Sequence, residues 1–323
     1  MFSELDISMM QNALALAWQG RFSTSPNPRV GCVIARGSQI VGQGFHLQAG
    51  GPHAEVHALR QAGALAEGAT AYVTLEPCSH YGRTPPCAKS LMEAGVARVV
   101  AAMADPNPLV AGKGLAMLRE AGIDVSDGLL QTEARALNRG FLSRIERARP
   151  FVRLKCAASL DGKTALANGQ SQWITGAEAR ADVQILRAES CAILTGIGTV
   201  LQDDPLLNAR LPGATRQPML AIVDSQLQTP PGARLWSAGP RGVVICTAVQ
   251  DPARWQALQA LGAQIVACPN AHSKVDLAAM LKDLAQREVN EVHVEAGYKL
   301  NGSLMREGLV DEWLIYQAPK LLG

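Results

Sequence analysis

Charge of one sign is what this chain most plainly lacks. Its 30 lysines and arginines are nearly balanced by 28 acidic residues, leaving a net charge of +2 over 323 residues. No Lys/Arg-rich run or basic helix stands out, so the footprint of a nucleic-acid binder is missing. No apolar run approaches the ~20 residues needed to span a bilayer. The opening Met1-Phe2-Ser3-Glu4-Leu5-Asp6 is acidic and lacks the basic-then-apolar layout of a signal peptide. Its 7 cysteines are odd in number and scattered, which is not a disulfide framework. A reduced, cytoplasmic protein with neither nucleic-acid nor membrane partners is expected. What the chain does have is apolar bulk: 48% of it is hydrophobic. That is enough to core about two domains of roughly 100–200 residues each.

Helix and strand patterns alternate along the first half. Ile7, Met10, Leu14 and Trp18 recur at helical spacing, with Gly20 as the stop. Residues 30–34 and 39–45 read as strands joined by a turn at Gly37-Ser38. Residues 53–62 and 88–94 read as helices, and residues 71–75 and 96–103 as strands. This alternation predicts an α/β sandwich with a largely parallel sheet. The charged stretch Arg144-Ile-Glu-Arg-Ala-Arg-Pro150 interrupts the pattern and marks a domain boundary, although a helix with a solvated face has the same appearance. A second α/β series follows. Its strands are expected near 151–158, 192–195, 219–224, 242–247, 263–267, 291–295 and 312–317, with helices near 177–189, 254–261, 275–288 and 300–307.

Three segments of the first half carry soft metal ligands: Pro52-His53-Ala54-Glu55, Glu76-Pro77-Cys78 and Pro85-Pro86-Cys87. A catalytic zinc needs three protein ligands and one position open to water, whose pKa it lowers toward about 7. His53, Cys78 and Cys87 supply the ligands, and Glu55 is left as proton shuttle. The H-x-E…P-C pattern belongs to zinc deaminases, although here the cysteines stand far apart. Cys87 falls where a helix starts, and the partial positive charge there favours a thiolate. His53 and Glu55 are two apart, so on a regular helix they diverge by about 200°. They share a site only if His53 lies at the irregular first turn. Two other readings fail. A zincin needs H-E-x-x-H, whereas His53-Ala-Glu-Val-His57 has its Glu in the wrong place. A structural zinc wants a fourth ligand. Cys32, Cys156, Cys191, Cys246 and Cys268 read as small buried hydrophobes.

The second half signals less. Thr195-Gly-Ile-Gly-Thr-Val200 follows a strand, as does Val294-Glu-Ala-Gly-Tyr-Lys299. Such strand-to-helix turns suit a cofactor phosphate, but the full G-x-G-x-x-G fingerprint is absent. On residues alone a plain tight strand-to-helix turn is the better explanation of Thr195–Val200.

Eight residues, Ser79-His-Tyr-Gly-Arg-Thr-Pro-Pro86, separate the two cysteines. A nucleic-acid base deaminase has a short spacing and a basic groove. With Thr74-Leu-Glu-Pro-Cys-Ser-His80, this insert resembles the RibD family of bifunctional riboflavin-biosynthesis proteins. The likeness extends through Pro26-Asn-Pro-Arg-Val-Gly31, Asp105-Pro-Asn-Pro108 and Val110-Ala-Gly112. It continues into Leu154-Lys-Cys-Ala-Ala-Ser-Leu-Asp-Gly-Lys163, Ser171-Gln-Trp-Ile-Thr175 and Val294-Glu-Ala-Gly297.

The resemblance implies a cytidine-deaminase-like α/β/α sandwich over residues 1–147 and a dihydrofolate-reductase-like α/β domain over residues 148–323. The first would deaminate a diaminopyrimidinone carrying a phosphoribosylamino group; the second would reduce the ribosyl group to ribityl with NADPH. It implies one Zn2+, small-molecule phosphoribosylaminopyrimidine substrates, and a homo-oligomer. Asn27 and His46 would hold the pyrimidine, and His80, Arg83 and Thr84 of the insert would reach the substrate. On residues alone, His46 reads as a turn residue and Arg83 as a solvated charge. Ala157, Trp173, Thr199, Asp203, Ser225 and Gly297 correspond to NADPH contacts. Ser171, Arg187, Leu207, Arg210 and Glu295 correspond to substrate contacts, with Lys155 and Glu295 polarising or protonating the sugar. Without the family, Trp173 reads as core, Arg187 as a solvated helix face and Asp203 as a helix cap. One departure concerns the end: the chain stops at Ala318-Pro-Lys-Leu-Leu-Gly323, where the family continues with a stretch completing the reductase sheet.

Overall fold

The computed structural model describes residues 2–80, 85–108, 110–171 and 173–323. The chain divides into two compact units, Met1–Arg147 and Ala148–Gly323.

The first unit has five strands: β1 (Gly31–Arg36), β2 (Gln39–Phe45), β3 (Thr70–Val73), β4 (Arg98–Ala101) and β5 (Asp124–Asp127). Its helices are α1 (Glu4–Gln19), α2 (Ala54–Ala62), α3 (Cys87–Glu93), α4 (Lys113–Glu120), α5 (Gln131–Leu137) and α6 (Arg139–Arg147). The sheet order is β2-β1-β3-β4-β5. Only β3–β4–β5 run parallel; β1 is antiparallel to both β2 and β3, so the sheet is mixed and not largely parallel. The cause is the tight β1–β2 hairpin, which reverses the chain in place of a crossover.

Alternation along β1 builds the three layers. Val33 and Ala35 pack with Met9, Met10 and Ala13 of α1 and Phe141 of α6. Cys32 and Ile34 pack with Ala54 and Ala58 of α2, Leu91 of α3 and Leu118 of α4. The stripe of α1 is rotated from the expected one: Met9, Met10, Ala13 and Ala17 are buried, while Ile7 and Trp18 face solvent. A Cβ on Gly31 would fall 2.0 Å from the Ala13 carbonyl, so only a small-residue face lets the helix lie this close. The Arg21 guanidinium covers the Trp18 ring at 5.2 Å.

Helix α1 starts on a capping box, with Ser3 Oγ accepting from the Asp6 N–H and the Asp6 carboxylate accepting from Ser3 N–H. Asp6 also accepts from Tyr72 Oη at 2.8 Å and Arg98 Nη1 at 2.7 Å, tying α1 to β3 and β4. Burial pushes this carboxyl up, but the hydrogen bonds from Arg98, Ser3 and Tyr72 prevail and hold it well below the usual range. Helix α6 spans part of the charged stretch that interrupts the sequence pattern, so that stretch is both a helix end and the point where the units divide.

The second unit has seven strands: β6 (Phe151–Ser159), β7 (Ala192–Gly196), β8 (Met219–Val223), β9 (Val243–Thr247), β10 (Ala263–Ala267), β11 (Glu291–Val294) and β12 (Glu312–Ala318). They pair in the order β10-β9-β8-β7-β11-β6-β12, every pair parallel. Helices α7 (Ala177–Glu189), α8 (Ile197–Asp203), α9 (Gln256–Gln259), α10 (Leu277–Gln286) and α11 (Tyr298–Arg306) connect them. The helix expected at 254–261 is only a 3-10 turn at Pro252–Arg254 and the single turn α9, because Pro252 starts the segment and Gly262, at φ +88, stops it. Val152, Leu154, Val292 and Val294 pack on α10 and Leu304 of α11, while Ile193, Leu220, Ile222 and Ile245 form a second core on the opposite face. This is a doubly wound sheet, and ligands to such sheets bind outside the carboxyl ends of the strands.

Candidate active sites

His53 is the N-cap of α2, extended at φ −75°, ψ 167°, and not a helical residue. The condition set by its spacing from Glu55 is therefore met, because Glu55 is already in the first turn while His53 points away from the helical repeat. Cys78 follows the β3 strand end, and Cys87 is the first residue of α3. The donor atoms of His53, Cys78 and Cys87 lie within 4.8 Å of one another. His53 Nδ1 is 3.6 Å from Cys78 Sγ and 3.3 Å from Cys87 Sγ. A tetrahedral zinc with ordinary Zn–S and Zn–N bonds needs donor separations of about 3.6 Å, so the set fits that ion.

The start of α3 also serves the second thiol. Its first N–H, that of Cys87, donates to Cys78 Sγ at 3.3 Å. Cys78 is the thiol pulled down, to about 4, by hydrogen bonding to Cys87 and then to His53. Cys87 is pushed up by its hydrogen bond to Cys78 and by burial. Glu55 is 3% exposed, and its Oε2 has no hydrogen-bond partner among the described residues. Burial raises its pKa, with the charge of His53 opposing. A carboxylate oxygen buried beside three metal donors, with no bond of its own, suits a group that passes a proton.

His46 is buried and not a turn residue. Its Nδ1 contacts the Pro52 carbonyl at 3.0 Å, which makes Nδ1 the donor and Nε2 the acceptor. Nε2 faces Asn27 Nδ2 at 3.1 Å, and the ring packs edge-on against His53 with centroids 5.5 Å apart. Burial holds His46 below its ordinary value and so keeps it neutral. His80 is exposed; Arg83 and Thr84 lie outside the described residues.

Glu76 was not singled out in the sequence, although it adjoins a ligand segment. Its carboxylate is buried and accepts four main-chain N–H groups: Asp105 and Gly112 on Oε2, Gly114 and Leu115 on Oε1. It thereby fixes the 105–115 loop and the start of α4 against the strand that leads to Cys78.

In the second unit, β6 and β11 pair Arg153 with His293. Two residues on along each strand, Lys155 and Glu295 therefore share a row on the same sheet face. Arg187 is buried and not solvated; its Nε and Nη2 grip Glu295 at 2.5 and 2.8 Å. Burial pushes Glu295 up, but the Arg187 fork outweighs it and brings the carboxyl down to about 2. His293 lies 3.6 Å below Glu295, fully buried, and burial lowers it to about 4 despite Glu295. Its two ring nitrogens have no hydrogen-bond partner among the described residues.

Of the residues matched to NADPH contacts, Gly297 and Ser225 closely follow strands, Thr199 and Asp203 lie on a helix, and Ala157 lies within a strand. Gly196 and Gly297 start α8 and α11 without side-chain caps, and Leu300 comes 3.5 Å from the Cβ position of Gly196, so the two turns adjoin. Thr199 and Asp203 are on α8, and Asp203 ends that helix without capping it. Ser225 accepts from the Val275 N–H. Ala157 is half-buried on β6, and Trp173 is 66% exposed under Arg180, not core. Ser171 is half-buried. Arg210 donates to Asn208 Oδ1. Leu207 buries its side chain in the core with Ile193 and Leu220, so any substrate contact there falls to its main chain.

Residues 3–103 match the family described as the cytidine and deoxycytidylate deaminase zinc-binding region. Fold and site thus define a zinc-dependent pyrimidine deaminase unit of cytidine-deaminase-like fold, followed by a dihydrofolate-reductase-like α/β unit. Residues 150–323 match the RibD C-terminal domain. The riboflavin biosynthesis protein RibD of Escherichia coli (strain K12) is 51% identical over 326 residues, covering 97% of this chain and 88% of that protein. That of Haemophilus influenzae is 48% identical, covering 100% and 88%. The structure of Acinetobacter baumannii RibD (form 1) superposes with a TM-score of 0.92 at 47% identity, covering 99% of this chain and 88% of that one. A diaminohydroxyphosphoribosylaminopyrimidine deaminase/5-amino-6-(5-phosphoribosylamino)uracil reductase from Thermotoga maritima superposes with a TM-score of 0.87 at 33% identity, covering 99% and 88%. The chain belongs to the RibD family.

Proposed function

We propose that the chain catalyses two consecutive steps of riboflavin biosynthesis. Residues 1–147 deaminate 2,5-diamino-6-(5-phosphoribosylamino)pyrimidin-4(3H)-one to the aminouracil. Residues 148–323 then reduce the ribosyl group of 5-amino-6-(5-phosphoribosylamino)uracil to ribityl with NADPH. The observation that carries the first step is the unbonded, buried Glu55 Oε2 beside the His53–Cys78–Cys87 set. Zinc held there by His53, Cys78 and Cys87 would supply a water acidic enough to lose its proton near neutral pH. Glu55 is placed to take a proton from the attacking water and to return it to the leaving amine, so that the ring carbon would exchange its C–N bond for a C–O bond as ammonia departs. His46 holds Asn27 by its amide nitrogen, which turns Asn27 Oδ1 toward a pyrimidine N–H. His80, Arg83 and Thr84 of the insert are assigned to substrate binding by the family correspondence, Arg83 being suited to the phosphate.

In the second step, Ala157, Trp173, Thr199, Asp203, Ser225 and Gly297 hold NADPH, while Ser171, Arg187, Leu207 and Arg210 hold the substrate. Glu295, kept ionised by Arg187, orients the sugar and is a poor proton donor, which leaves Lys155 to protonate the opening ring. This reading places the enzyme in the cytoplasm as a homo-oligomer; among the described residues no helix is long and apolar enough to cross a membrane.

Glu55→Ala tests the first step. Zinc content measured on the purified variant is expected to equal the parent's while ammonia release falls by at least about a hundredfold; a variant that still deaminates removes Glu55 from the role. For the second step, NADPH oxidation must depend on the deaminated substrate, and its absence from the full chain would count against a working reductase.

A further inference from the structure

Between α8 and β8, residues 204–210 run without helix or strand. Asp204 at φ +39° and Leu207 at φ +47° occupy the left-handed region that side chains with a Cβ avoid. Such a conformation persists only where its surroundings impose it. At Leu207 side chains impose it. Arg241, just before β9, donates from Nη1 to the Leu207 carbonyl and from Nη2 to those of Leu206 at 2.7 Å and Leu235 at 3.1 Å. Arg187 Nη1 takes the next carbonyl, that of Asn208, at 2.9 Å. Gln217 then brackets Ala209, accepting from its N–H and donating to its carbonyl, each at 2.9 Å.

Arg241 differs from the arginines that hold Asp311, Glu312 or Glu295, because among the described residues no carboxylate pairs with it. Among the described residues every hydrogen bond it makes goes to a main-chain carbonyl, and its buried Nε has no partner. Burial, with the charge of Arg187, brings its guanidinium down to about 10. A half-buried cation with no carboxylate partner among the described residues still carries a desolvation cost, which an apolar side chain of similar volume avoids. What the cation uniquely does here is pin two consecutive carbonyls with one planar fork. Directly downstream, Arg210 lies within reach of the charges of both Arg187 and Glu295. Arg187 and Arg210 thus lie about the carboxylate of Glu295, with the charge of Arg241 felt at Arg187, an excess of positive charge that suits an anionic ligand.

We propose that Arg241 is a positioning residue of the reductase half. It locks residues 206–208 so that Arg210 and the Leu207 main chain meet the phosphoribosyl group beside Arg187 and Glu295, and it thereby sets affinity for the aminouracil substrate and not for the dinucleotide. The inference rests on the reading of the second half given above.

Arg241→Gln and Arg241→Lys in the full chain test it, with three measurements on each sample: KM and kcat for reduction, NADPH affinity by fluorescence, and deamination rate. Arg241→Gln is expected to raise KM for the aminouracil substrate by at least about tenfold, with kcat, NADPH affinity and deamination close to the parent's. Arg241→Lys keeps the charge but loses the fork, and its KM should lie between. If Arg241→Gln fails to fold, Gln217→Leu frees the same segment at Ala209 and should show the same rise in KM alone. An unchanged KM defeats the inference, as does a joint loss of kcat and NADPH affinity, which would make Arg241 a fold residue only. A parent protein that oxidises no NADPH with the deaminated substrate defeats the reading of the second half and this inference with it. A parent that turns over while Arg241→Gln matches it defeats this inference alone.

Discussion

In the first half, His53, Glu55, Cys78 and Cys87 come from three short segments at helix starts and a strand end, and each is placed by its immediate neighbours. In the second half, Lys155, Arg187, His293 and Glu295 come from β6, α7 and the β11 strand and its end, and they meet only because two parallel strands pair in one register and a helix lays Arg187 across them. The first arrangement concentrates rare ligand types; the second assembles common charged residues into an uncommon environment. Local placement makes a site that depends on one ion and tolerates distant change. Placement by register makes a site that depends on the sheet and on charge balance.

Removing zinc should separate the halves most sharply. Stripping the protein with a chelator is expected to lower deamination by about a thousandfold or more, because the acidified water is lost. NADPH oxidation with pre-formed aminouracil substrate should stay within about twofold, since no residue argued for that step is a zinc ligand. Zinc re-addition should restore ammonia release. Equal loss of both activities would mean that the metal supports the whole chain.

The same contrast explains what could be read in advance. His53, Glu55, Cys78 and Cys87 were legible because thiols and imidazoles at fixed offsets from prolines have few other uses, and because the His53–Glu55 spacing dictates a helix start. The strands of the second unit were legible within a residue or two from their apolar runs. Other features were not. The reversal of β1 depends on where the hairpin lies in the sheet, which periodicity does not encode. Arg187 reads as a solvated helix charge until β11 brings Glu295 to it. The role of Glu76 depends on four N–H groups lying 29 to 39 residues away. Leu207 corresponds to a substrate contact, and only the fold shows that its side chain is core and that its main chain is left for that role.

Acid should expose the dependence of the second half on charge. Glu295 has a folded pKa of about 2 against an ordinary value of 4.5, so its stabilisation is present above that ordinary value and is lost as pH falls toward 2. His293, lowered to about 4 from 6.5, acts in the same direction: the unfolded state binds its proton first, and stability falls from pH 6.5 downward. Glu295→Gln should destabilise the second unit by roughly 3 kcal/mol at pH 7, chiefly by stranding buried Arg187. That deficit, followed as a denaturation midpoint, should narrow below pH 4. A deficit independent of pH would show that the pair's charge is not what matters.

Glu76→Gln tests local placement in the first half. All four partners of Glu76 are donors, so an amide must turn its NH2 toward either the Asp105–Gly112 pair or the Gly114–Leu115 pair. The expected loss is about 2 kcal/mol, seen in the melting of the first unit alone. Restored stability in Glu76→Asp is not expected, because the shorter chain cannot span both pairs.

The smallest effect should come from an ion pair that resembles Arg187–Glu295 only in composition. Arg119 and Asp127 meet at 3.1 Å, but their side chains are 50% and 45% exposed, against 10% and 12% for Arg187 and Glu295. Water and salt screen the exposed pair, and holding two mobile side chains together offsets most of what attraction remains. Asp127→Ala should therefore move the thermal midpoint of the first unit by less than about 0.5 kcal/mol equivalent, and added salt should erase even that. A shift as large as that of Glu295→Gln would mean that burial is not what separates structural charge from surface charge in this protein.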